Sequence, residues 1–327
     1  MAAASKAVLI STRIVPELWK VVLDETPKGW TIDYVSPKDG EDKVVKAIAD
    51  VSSIVVFGSN WRVPFKILEP LKQLKLVQTA GQGTDHLPVK QLWDRGVFVC
   101  NTGGGNALSV SELTMLLILA TLRRIQPLSA SIKAGKWQGN SDMLNTHELY
   151  GKTVGIVGFG NIGKRVAHLA YGFGANIIFY EKLDIPYAAK ADTRARQVSL
   201  EELLATADIV TLHVPSMEAS RNLITWRELS MMKPTSYLIN TARGAVINEA
   251  DLIRALNEKK IAGAGLDVWE PEPPDTANPL LAMENVVATP HAGALAWENW
   301  LPRVQTIWSN ILKVSEGKAP LNQVREV

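Results

Sequence analysis

The segment Thr153-Val154-Gly155-Ile156-Val157-Gly158-Phe159-Gly160-Asn161-Ile162-Gly163 limits what this chain can fold into more than any other. An apolar run with the pattern of a buried strand passes straight into spaced glycines, and a helix-like pattern follows through Leu169. Each glycine has a physical reading. Gly158 permits a tight turn, Gly160 lets the backbone approach a diphosphate, and Gly163 allows close helix–strand packing. A diphosphate there sits on the helix N-terminus, where free amides and the dipole favour an anion. The next strand pattern, Asn176–Tyr180, ends at Glu181. An acid at that place accepts hydrogen bonds from both ribose hydroxyls and repels a 2′-phosphate, which favours NAD over NADP. Lys182 follows directly and softens the preference.

The rest of the chain supplies matching units. Ala7–Ser11, Trp30–Val35, Ser53–Phe57, Lys75–Gln78 and Val97–Cys100 read as strands, with helices at Pro16–Leu23 and Asp42–Ala49. A second series starts at Lys152, with strands Thr153–Val157, Asn176–Tyr180, Ile209–His213, Ser236–Asn240, Gly263–Leu266 and Val286–Ala288. Strands separated by helices imply an α/β fold of parallel sheets covered on both faces. At roughly 150 residues per domain, a chain of 327 residues predicts two domains. Between the two series lies Asn101-Thr102-Gly103-Gly104-Gly105-Asn106, whose consecutive glycines suggest a turn or hinge. An apolar helix from Val110 to Leu122 follows, with Ser109 or Ser111 as N-cap and burial expected nearly all round. Trp297–Val314 is again helical.

Composition narrows the function. Lys+Arg 35 against Asp+Glu 33 leaves a net charge of +2, which gives no reason to expect a nucleic acid or an anionic membrane as partner. Cys100 is the single cysteine, so an intramolecular disulfide and a Cys-based zinc site are excluded. The five histidines are scattered without an HExxH-like pair, and no metal is expected. The most apolar stretch, Leu113–Ala120, is well short of the ~20 residues of a membrane span. The N-terminal apolar piece lacks the length of a signal-peptide core, so a soluble, cytoplasmic protein is expected.

Chemistry concentrates in three segments: Asn240-Thr241-Ala242-Arg243-Gly244, Gly265-Leu266-Asp267-Val268-Trp269-Glu270-Pro271-Glu272-Pro273, and Ala288-Thr289-Pro290-His291-Ala292-Gly293. All follow strand patterns, and ligands of an open parallel sheet collect at the carboxyl ends of its strands. An Arg, a Glu and a His suit reduction of a 2-oxo acid. A guanidinium binds the substrate carboxylate in fork geometry. A protonated imidazole supplies the proton when the keto oxygen becomes an alkoxide. A carboxylate on the far ring nitrogen orients the ring and favours its protonated form.

In this order the segments resemble the D-isomer-specific 2-hydroxyacid dehydrogenase family, over nearly the whole chain. The Gly158–Gly163 loop, the Thr241–Gly244 turn, the Gly265–Val268 strand end and Thr289–Gly293 all fit its motifs. The resemblance implies that Arg243 binds and polarises substrate, His291 is the acid/base, and Glu272, rather than Glu270, orients His291. It implies a Rossmann cofactor domain over residues 102–296 and a flavodoxin-like substrate domain over 1–101 plus 297–327, both doubly wound, with a cleft between. Ala80-Gly81-Gln82-Gly83-Thr84-Asp85 matches the loop whose amides hold the substrate carboxylate, so Gly81, Gln82 and Gly83 join the substrate site with Arg243 and His291. Dinucleotide contacts fall on Gly158, Gly160, Asn161, Ile162, Gly163 and Glu181. Val214, Pro215 and Ser220 flank the adenosine side, and Thr241, Ala242 and Asp267 the nicotinamide side. The helix from Val110 is implied in a homodimer interface of the cofactor domain.

The chain departs from the family in places. Gln82 stands where a small or apolar residue is usual; it either bonds a polar group on the substrate or is a chance replacement. Trp297 and Trp300 follow His291, and either one walls the substrate pocket or both are helix core. Glyoxylate or hydroxypyruvate is the expected substrate class. Formate oxidation is disfavoured because that branch has Gln where Glu272 stands, and phosphite oxidation because that branch has Lys at the place of Gln82. Two alternatives stay open: a dehydrogenase for an unusual polar substrate, and a nucleotide-sensing, corepressor-like binding protein on the same fold. His86, His147, His168, His213 and Cys100 are expected to be structural.

Overall fold

The structure, a computed structural model, describes residues 5–58, 61–137, 143–186, 191–215 and 217–325. The chain divides into two compact units, Met1–Asn106 with Leu295–Val327, and Ala107–Ala294. The crossings therefore lie a few residues from those expected, and the glycine run belongs to the first unit. The cause is local: Asn101 N–H donates to Asn322 O at 3.1 Å and Thr102 N–H to Gly81 O at 3.2 Å.

In the first unit, β1 (Ser5–Ser11), β2 (Trp30–Val35), β3 (Ser53–Phe57), β4 (Leu76–Thr79) and β5 (Phe98–Cys100) pair in parallel, in the order β2-β1-β3-β4-β5. This is the flavodoxin-like order. Strand β3 is buried at every position, as a central strand covered on both faces must be. The period-2 alternation of β1 shares it between two cores. Val8 and Ile10 pack under α2 (Glu41–Ile48), α3 (Phe65–Leu68) and α4 (Val89–Asp94). Ala7 and Leu9 join α1 (Pro16–Asp24) and the C-terminal helix α11 (Trp300–Ser315). Helices α3 and α4 are too short to show a 3.6-residue period in the sequence.

In the second unit the first helices are α5 (Ala107–Leu122) and α6 (Ile125–Lys133). The strands are β6 (Thr153–Val157), β7 (Asn176–Tyr180), β8 (Arg196–Gln197), β9 (Ile209–Leu212), β10 (Tyr237–Asn240), β11 (Gly263–Leu266) and β12 (Val286–Ala288). Their order is β12-β11-β10-β9-β6-β7-β8, and neighbouring strands pair in parallel. The connecting helices are α7 (Asn161–Gly172), α8 (Leu200–Thr206), α9 (Trp226–Met231) and α10 (Glu249–Asn257). Strand order reverses between β6 and β9, which puts the ligand crevice of this sheet at their carboxyl ends. Edge strand β8 is too short to carry a sequence pattern.

Helix α5 differs from expectation twice. It begins at Ala107, so Ser109 and Ser111 lie inside it, and the Ser111 hydroxyl donates back to Leu108 O at 2.6 Å. It is also not buried all round: Leu108, Glu112 and Leu116, spaced by one turn, face outward. Its inner face packs close to the sheet because β11 is made of small residues. A Cβ on Gly265 would stand 2.9 Å from Ile239 Cδ1 and 3.1 Å from Leu117 Cβ.

Candidate active site

The Gly158–Gly163 loop sits at the switch point of this sheet, and its glycines divide the labour as the spacing suggests. Gly158 has φ +96°, and a Cβ there would meet His213 O at 2.7 Å. Only glycine combines that backbone conformation with so close an approach. A Cβ on Gly163 would lie 2.1 Å from Gly158 O, so the first turn of α7 fits only without one. Gly160 has nothing within 4 Å of its would-be Cβ, which leaves open space above the N-terminus of α7. That pattern fits a dinucleotide diphosphate, with Asn161 and Ile162 opening the helix beneath it.

Glu181 is held at the end of β7 by backbone alone. Its Oε2 accepts from Phe159 N–H at 3.0 Å and its Oε1 from Lys182 N–H at 2.9 Å. Phe159 is fixed in turn by stacking on Phe179, with ring centroids 3.9 Å apart and planes 19° from parallel. Such pairs contribute about 0.5–1.5 kcal/mol beyond the area they bury. The residue between the first two glycines is thus a core anchor, and its amide holds the carboxylate of a neighbouring strand.

Across the switch point, β9 leads into His213, Val214 and Pro215. Ser220 Oγ donates to Pro215 O at 2.6 Å and accepts from Met217 N–H at 3.0 Å. Its hydroxyl is engaged in closing the turn that carries Val214 and Pro215. Burial pushes His213 down to about 3, so its ring is neutral; its Nε2 lies 2.9 Å from Thr211 Oγ1. After β10, Thr241 Oγ1 and Thr114 Oγ1 on α5 are 3.0 Å apart, and Ala242 N–H donates to Asn240 Oδ1 at 3.0 Å. Gly244 explains the end of this turn. Its would-be Cβ would sit 2.1 Å from the carbonyl carbon of Trp269, so the backbone after Arg243 lies directly against the loop after β11.

That loop and the one after β12 are tied together. His291 Nδ1 is 2.8 Å from Glu272 Oε2, and Glu272 Oε1 accepts from Trp269 N–H at 3.2 Å. Trp269 Nε1 donates to Thr289 O at 3.0 Å. Burial alone raises the pKa of Glu272. The bond and charge of His291, the Trp269 amide and the charge of Arg243 outweigh that and hold it below the usual carboxylate range. Arg243, Glu272 and His291 therefore form one electrostatic group. Glu270 stands apart, exposed and 3.9 Å from Arg221. His291 Nε2 makes no bond to a described residue, so the ring keeps one nitrogen for chemistry.

Asp267 holds a place that its sequence context does not reveal. It is 1% exposed. Its Oδ1 accepts from Thr289 Oγ1 at 2.6 Å and Ala292 N–H at 2.7 Å, and its Oδ2 from Gly293 N–H at 2.9 Å. Its own carbonyl accepts from His291 N–H at 2.7 Å. These bonds hold His291 at φ +54°, a left-handed conformation that costs a non-glycine residue about 1–3 kcal/mol. Asp267 is thus a positioning residue for the His291 loop.

In the first unit, the loop after β4 carries Gly81, Gln82 and Gly83. The Gly81 N–H is taken by Thr79 Oγ1 at 3.1 Å, while the amides of Gln82 and Gly83 have no partner among the described residues. Trp300 stacks on Phe57 at 5.8 Å with Arg303 over it, as part of the helix core, whereas Trp297 is 57% exposed. His147 and His168 are exposed, and His86 is buried. Cys100 is buried and its thiol is pushed up to about 12, which keeps it unreactive.

The comparisons with known proteins agree with this geometry. The family model for the D-isomer specific 2-hydroxyacid dehydrogenase NAD binding domain matches residues 115–293. The chain is 40% identical over 256 residues to a hydroxypyruvate reductase of Thermotoga maritima, covering 78% of this chain and 81% of that protein. It is 34% identical over 312 residues to a glyoxylate reductase of Korarchaeum cryptofilum, covering 95% and 89%. The solved structure of a glyoxylate reductase from Paecilomyes thermophila matches with a TM-score of 0.84 at 29% identity, over 98% of each chain. A dinucleotide crevice, a paired His and Glu beside an Arg, and these relatives lead to one conclusion: the chain belongs to the D-isomer specific 2-hydroxyacid dehydrogenase family, NAD-dependent oxidoreductases acting at C2 of 2-oxo and 2-hydroxy acids.

Proposed function

We propose that this enzyme reduces a small 2-oxo acid of the glyoxylate or hydroxypyruvate type to its D-2-hydroxy acid, in the cytoplasm and as a homodimer. The observation that carries the reading is the His291–Glu272 pair at 2.8 Å within the field of Arg243. The names of the relatives, hydroxypyruvate reductase and glyoxylate reductase, support the substrate class. Nothing in the site favours the nucleotide-sensing alternative.

Arg243 takes the substrate carboxylate and polarises the keto group. NADH, when bound, supplies the hydride for C2. His291 gives its Nε2 proton to the oxygen of C2 as that oxygen gains charge. Glu272 then shares the Nδ1 proton of the neutral ring, and in the reverse direction the neutral ring accepts the hydroxyl proton. Asp267 keeps His291 in place throughout. Glu181 accepts the ribose hydroxyls, and because backbone amides pin both its oxygens it does not swing away from a 2′-phosphate. NAD is therefore preferred over NADP.

The dimer surface is proposed on the second unit. Leu108 and Leu116 on α5 are 50% and 58% exposed, and Ile132 on α6, Trp137 and Leu144 are 54%, 89% and 87% exposed. Large exposed apolar groups along these neighbouring segments suit an interaction surface, and a two-fold pair is the commonest way to cover one.

A first test is NADH oxidation with a series of 2-oxo acids. His291→Ala lowers turnover by about 10²–10⁴-fold, the usual worth of a general acid; full activity in that variant contradicts its assignment. The pH dependence follows from the lowered pKa of Glu272. The Glu272 carboxylate stays charged beside His291 as pH falls until that lowered value is reached, so the acid limb of the pH–rate profile lies below the usual carboxylate range. Glu272→Gln removes that charge and the acid limb with it. An acid limb kept in the variant rules out the orienting role. Glu181→Ala raises the kcat/KM ratio of NADPH to NADH by at least about tenfold, equivalent to roughly 1.4 kcal/mol; an unchanged ratio means that Glu181 does not select the cofactor. Sedimentation equilibrium gives twice the chain mass for the native protein, and Leu116→Glu with Trp137→Glu shifts it to monomer. A native monomer refutes the proposed interface.

A further inference from the structure

Arg243, Asp267 and His291 follow the carboxyl ends of β10, β11 and β12. The amino ends of the same three strands border a recess under the junction of α5 and α6, lined among others by Thr121, Arg124, Pro127, Tyr237, Glu284 and Asn285. One strand pairing explains its floor. Tyr237 opens β10 and stands opposite Gly263 of β11. A Cβ on Gly263 would lie 3.3 Å from Tyr237 Cδ1 and 2.4 Å from Asn285 O, so the glycine makes room for the ring against β11. Tyr237 is 7% exposed, and its hydroxyl has no partner among the described residues. Burial raises its pKa, and the charge of Arg124 only partly offsets this, so the hydroxyl keeps its proton and is a donor. Neighbouring polar groups are engaged elsewhere. The Thr121 hydroxyl donates to Leu117 O and Ile118 O at 2.8 and 2.9 Å, and Asn285 Nδ2 donates to Ala262 O at 3.0 Å.

Arg124 forms the other side. It follows α5 with φ +48°, a left-handed conformation uncommon for a residue with a side chain. Arg123, Arg124 and His147 N–H groups take the carbonyls of Leu119, Thr121 and Leu122, so the end of α5 is already capped. Helix α6 starts at Ile125, and its first turn reaches the recess through Pro127. The positive end of a helix favours an anion. Arg124 Nη2 meets Glu284 Oε2 at 3.4 Å, and the Glu284 side chain is largely exposed. One long bond to a solvated carboxylate contributes little.

We infer that this recess is a binding site for a small free carboxylate, held by the Arg124 guanidinium and the Tyr237 hydroxyl. Glu284 already shows which group the guanidinium accepts. A free carboxylate takes the place of Glu284 and gives one oxygen to the guanidinium and one to the phenol, two charge-assisted bonds in place of one long one. A cation is repelled by Arg124, and an apolar ligand leaves the buried hydroxyl unsatisfied. The recess holds about 290 Å³ including its open mouth, at the lower limit of roughly 300 Å³ for small-molecule sites. The ligand is therefore a carboxylate of few atoms, and it touches the three chemical strands from their other end.

The probe is acetate, titrated into the NAD-loaded enzyme and followed by saturation-transfer NMR, with native protein, Tyr237→Phe, Glu284→Gln and Arg124→Gln. Acetate also enters the substrate site, and its inhibition constant against glyoxylate in NADH oxidation reads that site separately. The inhibition constant stays the same in all four proteins, while a second class of acetate binding responds to the variants. Tyr237→Phe weakens that class by at least about tenfold, the lower end of what a hydrogen bond to a charged group contributes. Glu284→Gln removes the competing carboxylate and tightens it by about two- to fivefold, the worth of a surface ion pair. Arg124→Gln abolishes it. A purely structural role for these residues does not produce tightening in Glu284→Gln. The inference is overturned if the native enzyme shows no second class of binding. It is overturned equally if Tyr237→Phe and Glu284→Gln bind acetate as the native enzyme does, or if the inhibition constant moves with the variants, which places acetate in the substrate site alone. Those two conservative variants decide the matter even where Arg124→Gln fails to fold.

Discussion

The buried carboxylate of Asp267 organises the chemical end of the second unit. It collects the Thr289 hydroxyl and the amides of Ala292 and Gly293, and its carbonyl takes the amide of His291. A loop after an edge strand would otherwise be free to choose its conformation, and His291 would not remain at a positive φ unaided. With that loop closed, the imidazole meets Glu272, and the short approach of Gly244 to Trp269 brings the turn of Arg243 against the same segment. The His291–Glu272 pair is thus a consequence of hydrogen bonds that its own side chains do not make. Preorganisation of this kind lets charge develop in the reaction without rearranging the site.

The same device recurs. Glu181, Glu272 and Asp267 each accept at least one backbone N–H, from Phe159 and Lys182, from Trp269, and from Ala292 and Gly293 respectively. Backbone donors orient an anion without the entropy of a long basic side chain and without adding positive charge to the site. Arg243 and His291 supply the positive charge beside Glu272. The three carboxylates lie in the segments that follow β7 and β11 of one sheet.

Much of this was legible in the chain. Strands at Ser53–Phe57, Thr153–Val157, Asn176–Tyr180 and Gly263–Leu266 have the bounds that their apolar runs suggest, because an inner strand covered on both faces is largely apolar, and the edge strands Trp30–Val35 and Val286–Ala288 keep the expected bounds as well. The roles of Gly158 and Gly163 are local and geometric, so spacing reveals them. Features shorter than one period escaped: β8, α3 and α4. The start of α5 also escaped, because apolar Ala107 and Leu108 carry no capping signal and the serines that do lie inside the helix.

The amino-acid sequence by itself determined the alternation of strands and helices, the dinucleotide loop and the identity of the chemical residues, since each depends on neighbours a few positions away. Only the tertiary structure decided how close Glu272 comes to His291 and what Asp267 holds. These depend on contacts between segments about 20 residues apart, and no local pattern encodes which donor a side chain will find once the loops are brought together.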